Sequence, residues 1–108
     1  MTDLPLELET ILRAAVERGA SDIHLKLGHD PVVRFDGNLE SLPDFRALGS
    51  RDLERFVNEV GASSPARLDL FERTGELDTA FYVANLPRFR VNAFRQRGDI
   101  SLAGTRSA

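Results

Sequence analysis

Apolar residues follow one period at the start of the chain and a different one immediately after it. Leu8, Ile11, Leu12, Ala15 and Val16 fall at the i, i+3, i+4, i+7, i+8 spacing of a helix with one buried stripe. This predicts a helix over about residues 5–18. Asp3 is its expected cap, Glu7 and Glu9 suit the positive end of the dipole, Glu9 and Arg13 form an i, i+4 pair, and Gly19 stops it. From Asp22 to Leu27 polar and apolar residues alternate, as in a strand with Ile23, Leu25 and Leu27 turned inward. Gly28–Pro31 is turn chemistry, Val32–Phe35 reads as a second strand, and Asp36-Gly37-Asn38 is a tight turn into Leu39–Leu42.

After a loop over Pro43–Gly49, Ser50 is the expected cap of a helix whose stripe is Leu53, Phe56, Val57 and Val60, ended by Gly61. Ser64-Pro65 starts another helix, with Leu68 and Phe71 apolar and Gly75 as its stop. Leu77–Val83 alternates again and Asn85-Leu86-Pro87 turns the chain. In Arg88–Arg95, placing Phe89, Val91 and Ala93 on one face leaves Arg88, Arg90 and Asn92 on the other. Gln96–Asp99 is a hairpin turn, and the last strand, Ile100 and Leu102, is expected to run out at Gly104, leaving residues 104–108 as a divergent or disordered tail. Strand blocks with helices between them predict an α+β domain: an antiparallel sheet of about six strands with helices packed on one face.

Composition narrows the possibilities. A chain of 108 residues holds one domain, and folding buries roughly 65% of the surface its unfolded form exposes. The absence of cysteine excludes a disulfide scaffold, a thiolate nucleophile and a Cys-based zinc site. No apolar run approaches the ~18 residues of a membrane span, which with the acidic N-terminal segment predicts a cytoplasmic protein. The net charge of −3 is unevenly spread: residues 86–108 carry five arginines against Asp99 alone, so an anion-attracting tail follows an acidic body. Lys26 is the single lysine.

The pattern G-x-x-x-x-G-K-[ST] is absent, so this sequence contains no phosphate-cradling P-loop. Asp22 and His24 point the same way on one strand without a nucleophile beside them, and His29 sits in a turn. The two histidines and scattered carboxylates have no metal-ligand spacing. The arginines of the last hairpin are the one constellation above background. Guanidinium groups grip phosphate oxygens in a two-pronged way and keep their charge at any working pH. Their other reading is as solvated face charges paired with Asp78, Glu76 or Asp99 across the sheet. Nucleic-acid binding would need stacking aromatics beside them, and Phe89 falls on the core face; no nucleic-acid partner is expected.

Four stretches resemble those of one family. Glu17-Arg18-Gly19-Ala20-Ser21-Asp22-Ile23-His24-Leu25 is similar to its "GASD-hydrophobic-H-hydrophobic" run, and Pro31-Val32-Val33-Arg34-Phe35-Asp36-Gly37 to its "P-x-x-R-x-D-G" hairpin. Phe71–Asp78 resembles "F-E-x-x-x-E-x-D", and Arg88–Gly98 resembles "R-F-R-V-N-x-F-x-Q-R-G". In this order, over about residues 6–102, they resemble the N-terminal domain of the type IV pilus retraction ATPases, the twitching-motility motors of the secretion-ATPase superfamily.

The resemblance implies a PAS-like domain over residues 1–103, without catalysis of its own, that acts in regulation and assembly. It implies a RecA-like core beyond this chain, in cis or in trans, which holds ATP with magnesium; the isolated chain is expected to take no cofactor. It further implies a hexameric ring in which each N-terminal domain packs on a neighbouring core, with indirect engagement of the pilus platform at the inner face of the cytoplasmic membrane. Carried over by position, Arg34, Arg88, Arg90 and Arg97 are family arginines, and Arg95 lies at a variable position; these five are the candidate nucleotide-phosphate contacts. Asp22 and His24 are candidate interface residues. The family's final "R-x-I-P" is missing from Ala103–Ala108. The competing expectation is a free-standing PAS-like sensory or adaptor module with an apolar pocket lined by Phe35, Phe81 or Phe89.

Overall fold

In the computed structural model, which describes residues 6–42 and 44–107, helix α1 spans Leu8–Glu17. It ends in a Schellman turn, with the Gly19 N–H donating to the Val16 carbonyl and the Ala20 N–H to that of Ala15. Gly19 takes φ 75°, which only glycine adopts without strain. Asp3, the expected cap, lies outside the described residues. Strands β1 (Asp22–Lys26), β2 (Val32–Phe35) and β3 (Asn38–Ser41) follow as a meander. Helices α2 (Ser50–Val60) and α3 (Pro65–Thr74) come next, then β4 (Glu76–Phe81), β5 (Phe89–Gln96) and β6 (Asp99–Arg106). Asp36-Gly37 and Arg97-Gly98 both have positive φ, the type I′ pair that suits a two-residue hairpin loop.

The strands form one antiparallel sheet in the order β3-β2-β1-β6-β5-β4. Pairing of β1 with β6 joins the meander to the C-terminal hairpin at the centre. Every buried strand residue lies on one face, including Ile23, Leu25, Val33, Leu77, Val91 and Leu102. Ile11 and Leu12 of α1, Phe56 and Val57 of α2, and Phe71 of α3 join them in a single apolar cluster. Helix α3 also borders β4, where Arg67 donates to the Asp78 carbonyl at 3.0 Å and helps cover that sheet edge.

The structure corrects the sequence reading at its boundaries. Strand β6 continues to Arg106, so residues 104–106 are strand and not tail. Gly104 has no side chain to carry the alternation, yet it lies between Ile23 and Val91 and is buried. Strand β1 stops at Lys26; Leu27 bridges in parallel to Leu48 and remains 37% exposed instead of joining the buried core. Strand β4 ends at Phe81, before Val83. Ser50 is the first residue of α2 and Gly49 occupies the cap, its N–H donating at 2.8 Å to the Asp52 carboxylate.

Asp52 is the one buried charged residue of the described chain, 5% exposed. Burial alone would raise its pKa. The hydrogen bonds from Arg46 and the Gly49 N–H, with the charges of Arg46 and Arg55, outweigh that and hold it below the usual aspartate value. Glu59 is shifted the opposite way, raised by burial and by the carboxylates of Glu7 and Glu9 against the opposing charge of Arg55.

Two outcomes follow from this packing. A Cβ on Gly104 would come within 2.9 Å of Ile23 Cγ2, so Gly104→Val is expected to cost about 1–3 kcal/mol in urea unfolding by overpacking the sheet centre. Asp52→Asn is expected to cost about 1–3 kcal/mol at neutral pH, because two guanidinium groups lose their anionic partner and one of the two accepting oxygens becomes an NH2 donor. The depressed carboxylate contributes fully above its unfolded pKa of about 3.9, and that contribution disappears as pH falls through the lower folded value. The gap between parent and variant in denaturant melts therefore closes on acidification below about pH 4.

Candidate functional site: the uncovered face of the sheet

Alternation in each strand sends every second side chain away from the helices. The register sets these residues in rows. One row reads Leu39, Arg34, Asp22, Thr105, Arg90 and Ala80 from β3 to β4. The next reads Ser41, Val32, His24, Ala103, Asn92 and Asp78, and a third holds Lys26, Ser101, Phe94 and Glu76. None of these outward positions is buried.

The five predicted arginines do not form one cluster. Arg90 stands on the uncovered face beside the β4 edge, and exposed Arg88 precedes it by two residues. Arg34 shares the row of Arg90, with β1 and β6 between them, so their Cα atoms are about 14 Å apart by strand spacing. Arg97 is at the tip of the β5–β6 hairpin, about 20 Å along the strand from Arg90. Arg95 continues the inward series of Phe89, Val91 and Ala93. It lies on the helix side, 3.2 Å from Glu54 of α2, with its guanidinium 5.2 Å from the centre of the Phe71 ring. Its donors are engaged inside the fold and tie the sheet to α2 and α3.

The ion-pair alternative holds for part of the set. Arg90 meets Asp78 at 3.3 Å, with side chains 73% and 52% exposed, a pair that water and salt weaken. Arg34 donates to the Gly37 carbonyl at 3.1 Å, while Arg88 and Arg97 make no ion pair among the described residues. Arg90 also lines a cleft of about 500 Å³ with Arg67, Asp78, Ser63 and Ser64. The sequence reading passed over Arg67, because nothing local shows that α3 borders β4. The cleft, which Thr79 also lines, offers two guanidinium groups and three hydroxyls, a donor set suited to phosphate oxygens.

Asp22 faces Arg34 across the β1–β2 ladder without closing to an ion pair. His24 is half-buried opposite Val32 and Ala103, and its Nε2 has no hydrogen-bond partner among the described residues. Neither lies beside a nucleophile, and no three metal-ligating side chains converge among the described residues. Phe89 is packed into the core at 2% exposure, which removes it from any ligand pocket. No described helix is long and apolar enough to cross a membrane.

No family model matches the chain. It is 32% identical over 91 residues to the type IV pilus retraction ATPase PilT of Pseudomonas aeruginosa, across 84% of this chain and 26% of that protein. It is 28% identical over 97 residues to the type IV pilus ATPase PilU of the same organism, across 90% of this chain and 25% of PilU. The uncharacterised Escherichia coli protein YggR is 33% identical over 98 residues, covering 91% and 28% of the two chains. The crystal structure of the pilus retraction motor PilT with bound ADP superposes at a TM-score of 0.83 with 39% identity, over 95% of this chain and 29% of that one. The Legionella pneumophila ATPase DotB shares the fold, with a TM-score of 0.76 and 24% identity, over 98% of this chain and 31% of that one. The chain is homologous to the N-terminal region of PilT and PilU, and spans about a quarter of the length of these curated relatives.

The arginine placements predict different costs on removal. Arg95→Ala is expected to lower stability by about 1 kcal/mol, chiefly through the lost contact with Phe71, since Glu54 is half-exposed and water replaces its partner. Arg34→Ala, Arg88→Ala and Arg97→Ala are expected to stay within about 0.5 kcal/mol of the parent in the same urea titration.

Proposed function

We propose that this chain is a non-catalytic regulatory and assembly domain of a pilus-retraction-type motor, which packs its uncovered sheet face on a RecA-like core and lends arginines to the nucleotide there. Its homology to the N-terminal region of PilT and PilU supports the motor context. The observation that carries the chemistry is the position of Arg88 and Arg90 at one end of the uncovered face, held by nothing stronger than one exposed ion pair.

ATP held with magnesium by a core keeps a net negative charge that the metal only partly offsets, and this charge is spread over the transferring phosphoryl oxygens during hydrolysis. Arg90, with Arg88 two residues before it, approaches that charge as a two-pronged donor. Asp78 gives way to phosphate because its pair is solvated, and Arg67 lines the same cleft. Arg34 and Arg97 are too far from Arg90 for one phosphate to reach them all, so they meet the protein surface of the core, as do Asp22 and His24. When the core changes nucleotide, this rigid sheet turns as a body and transmits the change to its neighbour in a hexameric ring. The motor works in the cytoplasm, reaching the pilus platform at the inner membrane face only through its core.

The test uses the chain and a PilT core lacking its own N-terminal region. Alone, the chain is expected to show no ATP turnover and to bind Mg-ATP more weakly than about 1 mM. Mixed with the core, it raises turnover and promotes hexamers in sedimentation. The pair Arg88→Ala and Arg90→Ala lowers that turnover at least tenfold, about 1.4 kcal/mol, while thermal stability is kept. Equal activity of the double variant and the parent contradicts the assignment, and so does tight stoichiometric ATP binding by the chain alone.

A further inference from the structure

The two edges of the sheet are finished differently. At β4 the Arg95 N–H donates to the Gly75 carbonyl at 2.8 Å, so the alternation of antiparallel bonding turns the backbone groups of Glu76, Asp78 and Ala80 away from β5. Side chains meet several of them. Thr74 accepts from the Glu76 N–H at 3.3 Å, Arg67 donates to the Asp78 carbonyl at 3.0 Å, and the Thr79 hydroxyl donates to the Ala80 carbonyl at 3.3 Å.

The β3 edge has no such cover. The Leu42 N–H donates to the Pro31 carbonyl at 2.9 Å, and Phe35 pairs with Asn38 across the two-residue turn, so Asn38 and Glu40 bond to β2 while the N–H and C=O groups of Leu39 and Ser41 point outward. No described residue bonds to these outward groups. Leu39 is 58% exposed, and Asn38–Ser41 contains neither lysine nor proline to guard the edge.

This edge complements itself. In an antiparallel pair of two copies centred on Glu40, Leu39 of each copy exchanges both backbone hydrogen bonds with Ser41 of the other, and every outward group is used. Centring on Leu39 would set Ser41 opposite Gly37 in the turn, and centring on Ser41 would set Leu39 opposite Pro43, which has no N–H. Side chains agree with the first register. On the uncovered face Leu39 meets the Leu39 of the second copy diagonally, at about 7–8 Å. On the helix side Glu40 faces its own copy, and each carboxylate has Arg18 of its own chain at 3.0 Å, so the charges at the axis balance. A foreign strand of one charge sign would meet Arg18 or Glu40 as a like charge; a second copy brings both signs.

We propose that β3 pairs antiparallel with β3 of a second copy of this chain, joining two six-stranded sheets about a two-fold axis at Glu40. The strand has four residues, so the pairing is weak, with a dissociation constant of about 0.1–1 mM. Arg88 and Arg90 lie toward the opposite edge and stay uncovered, and the proposal stands whether or not the chain serves a motor.

Sedimentation velocity and nitrogen-15 NMR over about 20 µM to about 2 mM chain, in about 0.15 M salt, test this. The expected results are a concentration-dependent dimer, slowed hydrogen exchange of the Leu39 and Ser41 amides that is lost on dilution, and an isotope-filtered contact between the Glu40 Hα atoms of the two copies, whose Cα atoms stand about 4.5 Å apart. Ser41→Pro removes an outward N–H and keeps the ladder to β2; it weakens the dimer at least tenfold, and Leu39→Lys weakens it at least threefold. Leu70→Ser, at an apolar side chain 46% exposed on α3, leaves association at parent strength. Circular-dichroism melts establish which variants fold. A monomer up to about 2 mM overturns the proposal, as does parent-strength association in either folded β3 variant, or association whose contacts map to β4 or to the uncovered face. Protection of the Leu39 and Ser41 amides that arises only when a PilT core is added also overturns it, because the core is then the occupant.

Discussion

Strand β1 meets strand β6 along its whole length, from Asp22 opposite Thr105 to Lys26 opposite Ser101. The two halves of the chain become one sheet through that pairing. Ile23 and Gly104 sit at its centre, and the glycine lets the strands pack with no side chain in between. A slip of one residue would send Ile23 and Leu25 to solvent and His24 into the helical layer, so burial fixes the register strongly. The same register arranges the uncovered face, placing Arg34, Asp22, Thr105 and Arg90 in a row and bringing Lys26 toward the β5–β6 hairpin. Packing on one side of the sheet thus decides which charges stand together on the other.

The two faces use arginine differently. Under the helices Arg95 is bound by a carboxylate and an aromatic ring, and Arg46 and Arg55 hold buried Asp52 at the start of α2. These groups tie elements together. On the uncovered face Arg90 has a solvated partner and Arg34 a carbonyl acceptor, which compete weakly with an incoming anion. The proposed motor role uses this second set, in a chain homologous to the N-terminal region of PilT and PilU.

Much of this fold is legible in the sequence, because each element buries one face and the change of hydrophobic period marks where each begins. The hairpin turns at Asp36-Gly37 and Arg97-Gly98 are legible for a similar reason, since few residue pairs accept two positive φ values. The end of β6 is hidden because Gly104 and Thr105 carry no hydrophobic signal, and their strand conformation comes from β1 and β5. Arg95 had a readable signal: counting alternate positions from Phe89 puts it with Val91 and Ala93 on the core side. Its partner Glu54 is 41 residues away, a contact no local pattern shows.

The central claim is that the sheet face away from the helices is the face presented to a partner. Dicarbonyl modification of arginines, read by mass spectrometry with and without an ATP-loaded PilT core, tests it directly. The account predicts that Arg88 and Arg90 become shielded while Arg13 on α1 and Arg73 on α3 react as before. Shielding of Arg13 and Arg73, with Arg88 and Arg90 reacting unchanged, would contradict it.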